Sequence, residues 1–238
     1  MTQDKSFIGQ PAVGIQYSAA LSALGQNASE LKSALTQAEN TLSARSDLIA
    51  GRSVWVGAYP HSLVSAVPES LREEDSRNLR LALSALAQIE TQIRAYTAPF
   101  SKQRLAVILG TSTSGIADNE AALKAHFQRQ SQAQVPHQKQ EMGSLAKALQ
   151  KYLGWEGAAY TISTACSSGA KAMAAGQRLL NADLADAVLV GGVDTLCKLT
   201  LNGFDSLESL SGSICQPCGA SRDGINIGEA AGLFLLSK

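Results

Sequence analysis

The chain has 238 residues, 45% of them hydrophobic, and its 20 basic side chains are balanced by 20 acidic ones. This is enough apolar material for a sizeable core, and the zero net charge supplies no field to steer the molecule toward nucleic acid or a membrane. No repeat, low-complexity tract or Pro/Gly/Ser-rich linker divides the sequence, so one domain over residues 1–238 is expected and partners are sought at local sites.

The N-terminus carries one lysine ahead of the apolar segment 12–15, which Gln16 soon interrupts, so it reads neither as a signal peptide nor as a membrane span. A cytoplasmic location is the expectation. Residues 19–42 are helix-rich, with a break near Gly25-Gln26-Asn27. Over residues 77–96, Leu79, Leu83, Leu86 and Ile93 share one face of a predicted helix. A strand is predicted at 105–110, then from 118 to 139 a polar, Gln-rich section expected to be a helix followed by an exposed, mobile excursion. Leu145, Leu149 and Leu153 mark a helix over 142–153. Strands follow at 159–163, 187–191 and 230–236, where the continuous apolar runs suggest burial on both faces. Alternating strands and helices imply an α/β layered fold with a mixed or mostly parallel sheet.

Four cysteines, Cys166, Cys197, Cys215 and Cys218, lie in the last third of the chain, unlike the dense framework of a small secreted scaffold, and are expected to be reduced. The pair in Cys215-Gln-Pro-Cys218 lacks the second pair that a zinc site needs. As a redox motif it should open a helix, yet residues 219–224 read as a loop. Neither a metal nor a cofactor is assigned.

Cys166 stands where strand formers end at Ser163 and an alanine-rich helix begins. Free N–H groups and the positive end of the helix dipole stabilise a thiolate at such a turn, and the same N–H groups can hold a developing oxyanion. The bland alternative is a small buried hydrophobe in a packed helix. Gly169, Ala170, Ala172, Ala174, Ala175 and Gly176 leave that helix without a bulky face, so it is expected to be buried at the centre of the layers.

The run Thr164-Ala-Cys-Ser-Ser-Gly169 closely resembles the active-site signature of elongating β-ketoacyl-acyl-carrier-protein synthases, condensing enzymes of the thiolase superfamily. Val13-Gly-Ile15 and Leu24-Gly-Gln-Asn27 resemble the family's opening strand and turn, Ser76-Arg77 with Ala82 its Asp-Arg helix, and Leu109-Gly-Thr-Ser112 its second strand. Ala187-Val-Leu-Val-Gly-Gly-Val-Asp194, Gly203-Phe204 with Leu207 and Leu210-Ser211, and Arg222-Asp-Gly-Ile-Asn-Ile-Gly-Glu229 keep the family's order downstream. Cys218 and Gly219 depart from its pattern.

The resemblance implies the N-terminal half of a thiolase-like layered fold, a mixed five-stranded sheet with helices packed on it. It further implies that Cys166 accepts an acyl group from acyl carrier protein, with its own N–H as one arm of the oxyanion hole. Condensation with malonyl carrier protein would then lengthen a chain in fatty-acid or polyketide-like synthesis. The family's two histidine motifs, which belong to its C-terminal half, are not found; His61, His126 and His137 lack a matching context and read as surface residues. The chain by itself is therefore not expected to condense, and a homodimer or a complementing C-terminal half is expected to cover its apolar surface.

Three readings compete. The first is the catalytic-cysteine half of such a synthase; the second, a non-catalytic carrier-protein-binding or dimerisation module. An unrelated cysteine hydrolase, the third, would need a histidine within reach of Cys166. Arg222, Asp223 and Glu229 are expected to form a buried ion-pair network, and the arginines of residues 77–94 either meet an acidic carrier protein or are merely solvated.

Overall fold

A computed structural model describes residues 12–128 and 135–238. Residues 1–11, and residues 129–134 of the Gln-rich excursion, lie outside the described residues. In chain order the elements are β1 (Gly14–Ser22), α1 (Ala28–Gln37), β2 (Ser43–Ile49), β3 (Arg52–Gly57), α2 (Arg77–Ala87), α3 (Glu90–Thr97), β4 (Leu105–Gly110) and α4 (Ile116–Phe127). They continue with α5 (His137–Gln140), α6 (Ser144–Leu153), β5 (Ala159–Ile162), α7 (Ser168–Asn181), β6 (Ala187–Asp194), α8 (Lys198–Ser206), β7 (Ile227–Gly228) and β8 (Ala230–Ser237).

The expected mixed sheet is present, five strands in the order β1-β8-β6-β4-β5. Strand β4 runs parallel to β5 and β6, while β8 is antiparallel to β6 and β1. Its side chains alternate between two apolar layers. Leu105, Val107 and Leu109 meet Leu79, Leu86, Ile93, Leu145 and Leu149 of α2, α3 and α6, whereas Ala106 and Ile108 meet Ala172, Ala175 and Leu180 of α7. Burial on both faces is why β4 reads as an unbroken apolar run. A smaller sheet, β2-β3-β7, packs beside α8 through Val54, Val56 and Leu201. No helix among the described residues is long and apolar enough to cross a membrane.

Three expectations change, and one hairpin is added to them. Residues 19–22 form a strand, because the alanine-rich segment pairs with β8 from Gly14↔Ser237 to Ser22↔Ala230; tertiary pairing overrides its helix propensity. The predicted helix over 77–96 breaks at Ile89, whose φ of −129° and ψ of 4° separate α2 from α3. The β2–β3 hairpin went unpredicted, its first strand being largely polar. Helix α7 is buried on one face only: Ala172, Ala175, Gly176 and Leu180 meet the sheet, whereas Ala170, Lys171, Gln177 and Arg178 are exposed.

The expected network of Arg222, Asp223 and Glu229 does not form. Glu229, 3% exposed, pairs instead with Arg77 at the start of α2, through Nε–Oε2 and Nη2–Oε1 contacts of 2.9 and 2.5 Å. It also accepts the N–H groups of Tyr59 and Leu196, at 2.9 and 3.3 Å. Arg222 donates to the Gly219 carbonyl, and Asp223 accepts from Ser211 Oγ and the Gly212 N–H. Burial pushes the Glu229 carboxyl up, but Arg77 and the two N–H groups outweigh it and hold it below the usual range. The other arginines are likewise engaged at home: Arg80 pairs with Asp75, and Arg94 with Glu90.

Breaking the pair leaves a buried carboxylate. Arg77→Ala is expected to lose about 2–4 kcal/mol at neutral pH in urea unfolding, less than a fully buried pair because the guanidinium is partly exposed. Since Glu229 titrates lower in the folded state, the pair's contribution is full above the ordinary glutamate range and fades as pH falls through the folded value. The deficit of Arg77→Ala should therefore shrink on acidification.

Candidate active site at the strand-to-helix turn

Beyond β5 the chain turns sharply into α7, and Cys166 sits two residues before the helix, exposed. The turn is made by Ala165, which adopts φ +53° although it carries a Cβ. Local hydroxyls hold it. Ser168 Oγ accepts the Thr164 N–H at 2.9 Å and donates to the Ala165 carbonyl at 2.6 Å, while Ser167 Oγ donates to the Thr164 carbonyl at 2.8 Å. The Cys166 N–H makes no hydrogen bond among the described residues.

Beneath the turn the packing is backbone on backbone. A Cβ at Gly110, the last residue of β4, would lie 2.5 Å from the Ser168 carbonyl carbon, and one at Gly192 in β6 would lie 3.5 Å from Gly169 Cα. At Gly110 a side chain would forbid this depth of the first turn of α7, whereas at Gly192 a Cβ would make only ordinary contact.

The loop after β4 offers backbone N–H groups that could cradle an anion. Asp194 Oδ1, at the end of β6, accepts from Thr111 Oγ1, the Ser112 and Thr113 N–H groups and Thr113 Oγ1, at 2.7–3.1 Å. A carboxylate of the chain itself thus fills the anion-binding concavity and cross-links two strand ends below the turn.

No contact among the described residues joins a histidine to Cys166. His61 stacks edge-on with Tyr59, and His126 and His137 line a cavity of about 810 Å³ with Leu123, Phe127 and Glu141. The hydrolase reading therefore has no base at the turn. Cys215 and Cys218 are free thiols on a loop closed by the Gly219 N–H to Gln216 carbonyl bond of 2.9 Å, with Pro217 and Cys218 at its centre and Cys218 at φ +63°. No group of three or more metal-ligating side chains is placed to hold a metal ion among the described residues. Ser168, Asp194 and the hydroxyls of Thr111 and Thr113 were missed in the sequence. A serine cap signal between strand and helix points to Ser167, the N-cap, whose side chain makes no cap bond, and not to Ser168.

A mixed sheet of this order, with a cysteine at the turn into the helix on one of its faces, defines the thiolase-like fold of condensing enzymes. Residues 57–238 match the family model "Beta-ketoacyl synthase, N-terminal domain", and the chain belongs to that family. It is 32% identical over 151 residues to the chloroplastic 3-oxoacyl-[acyl-carrier-protein] synthase II of Arabidopsis thaliana, covering 59% of this chain and 28% of that one. Nodulation protein E of Rhizobium meliloti is 32% identical over 87 residues, 36% of this chain and 22% of its own. Among solved structures, the ketosynthase ApeO in complex with its chain length factor ApeC, from Xenorhabdus doucetiae, matches with a TM-score of 0.89 at 39% identity. That match covers 94% of this chain and 57% of the other, so the chain spans well under two thirds of these relatives.

Two substitutions probe the turn and the loop. Gly110→Ala is expected to lift the first turn of α7 and to lower stability by about 1–3 kcal/mol, read from a denaturant midpoint. Cys218→Gly should do the opposite. A positive φ after proline suits glycine, and a gain of about 0.5–1 kcal/mol is expected in thermal unfolding.

Proposed function

We propose that the chain is the cysteine-bearing part of a 3-oxoacyl-[acyl-carrier-protein] synthase in fatty-acid or polyketide-like synthesis, with Cys166 as acyl acceptor. One observation carries this reading: an exposed thiol, with its own N–H unbonded, on a strained turn that leads into a helix N-terminus. The thiolate would attack the thioester carbonyl, the Cys166 N–H would take up the oxyanion, and the carrier's thiolate would leave with a proton as the new thioester forms. Decarboxylation of the malonyl carrier is assigned to groups outside this turn, since none of His61, His126 or His137 touches it. A second chain, either another copy or a complementing C-terminal half, would cover the outer surface. Strand β5 is a sheet edge with Tyr160 exposed, and Leu199, Leu207 and Ile225 stand exposed after β6.

Intact mass after incubation with an acyl-carrier-protein thioester tests the reading. A single acyl adduct on the wild type that vanishes in Cys166→Ala is expected. An adduct that persists in Cys166→Ala would assign the acylation to another nucleophile. No adduct on a protein folded by circular dichroism would instead favour a carrier-docking or dimerisation module.

A further inference from the structure

We propose that Ser168 is the positioning residue of the nucleophile turn, holding Ala165 in its left-handed conformation so that Cys166 stands exposed with its N–H free. The inference rests on the reading of Cys166 as the nucleophile and names what keeps it presented. Ala165 at φ +53° is in a conformation that disfavours any residue with a Cβ, so something must hold it there. The Ser168 hydroxyl bonds on both sides of that strained residue, to the Thr164 N–H before it and to its own carbonyl, and the Ser168 N–H reaches the same carbonyl at 3.1 Å.

Ser168 is 3% exposed, and its backbone is pressed from below by Gly110, so neither water nor a shift of the helix replaces those bonds cheaply. Ser167 also bonds to Thr164, but it is exposed, and solvent competes for its partners. Without the Ser168 hydroxyl, Ala165 is released toward extended backbone. Cys166 then loses its place just before the first turn of α7, where its thiol is exposed and its N–H free.

The test is the alkylation rate of each cysteine by iodoacetamide, resolved by peptide mass spectrometry on the full chain. Exposed Cys218 serves as the internal reference, and Cys197, 1% exposed, reports unfolding. Ser168→Ala is expected to lower the Cys166 rate relative to Cys218 by about three- to tenfold, the size of one lost buried hydrogen bond. In the Ala165→Gly background the same change should cost less than about twofold, because glycine takes a positive φ freely.

An unchanged ratio of Cys166 to Cys218 in Ser168→Ala overturns the proposal. So does an equal loss with and without Ala165→Gly, since that would be general packing. If Ser168→Ala exposes Cys197 to the reagent, the double variant decides. Recovery of both protection and Cys166 rate sustains the proposal, and failure to recover overturns it. Iodoacetamide needs no carrier protein, so a missing acyl adduct counts against the acyl-acceptor reading alone and leaves Ser168 to be judged by these ratios.

Discussion

Gly110 and Gly192 sit on β4 and β6 without side chains, and this lets the first turn of α7 lie on bare backbone. At 2.5 Å between a hypothetical Cβ and the Ser168 carbonyl carbon, no other residue fits at Gly110 without moving the helix. The depth of the helix fixes where Ser168 lies. Ser168 in turn reaches Thr164 and Ala165, so the bend at Ala165 depends on the sheet below it. Asp194 completes this arrangement by tying the loop after β4 to the end of β6 through one carboxylate oxygen. Backbone proximity, local hydroxyls and a half-buried acceptor therefore act as one unit over three segments distant in sequence.

The Arg77–Glu229 pair does comparable work elsewhere. It joins the start of α2 to the junction of β7 and β8, and through Tyr59 and Leu196 it reaches the end of β3 and the segment after β6. The smaller sheet and the main sheet thus share a polar tie beside their separate apolar clusters. A carboxylate this buried is tolerable only because every strong acceptor direction is met by a donor, the guanidinium foremost. This explains why Glu229 pairs with a residue far upstream and not with nearby Arg222. Arg222 lies on an exposed loop where water already satisfies a charge.

Legibility followed the range of the interactions. Strands β4, β6 and β8 were readable because burial on both faces writes an unbroken apolar run, and the turn at Cys166 because its strand, small residues and helix are contiguous in sequence. The family signature around Cys166 carried the fold. Strand β1 was only partly readable: Tyr17-Ser-Ala-Ala-Leu-Ser22 has the composition of a helix, and only pairing with β8, more than two hundred positions away, makes it a strand. The break at Ile89 has neither proline nor glycine to mark it. Asp194 and Glu229 find their partners across long sequence separations, so no local pattern could assign them.

The packing also decides from which side Cys166 can be reached. Below the turn, the space is filled by the backbone of Gly110, Ser168, Gly169 and Gly192, which brings no titratable side chain. Asp194, half-buried at the end of β6, already accepts four hydrogen bonds from the loop after β4. On the outer side of the helix, Ala170, Lys171, Gln177 and Arg178 of α7 are exposed. The small residues that let the helix sit so deep on the sheet leave no room for a partner beneath it.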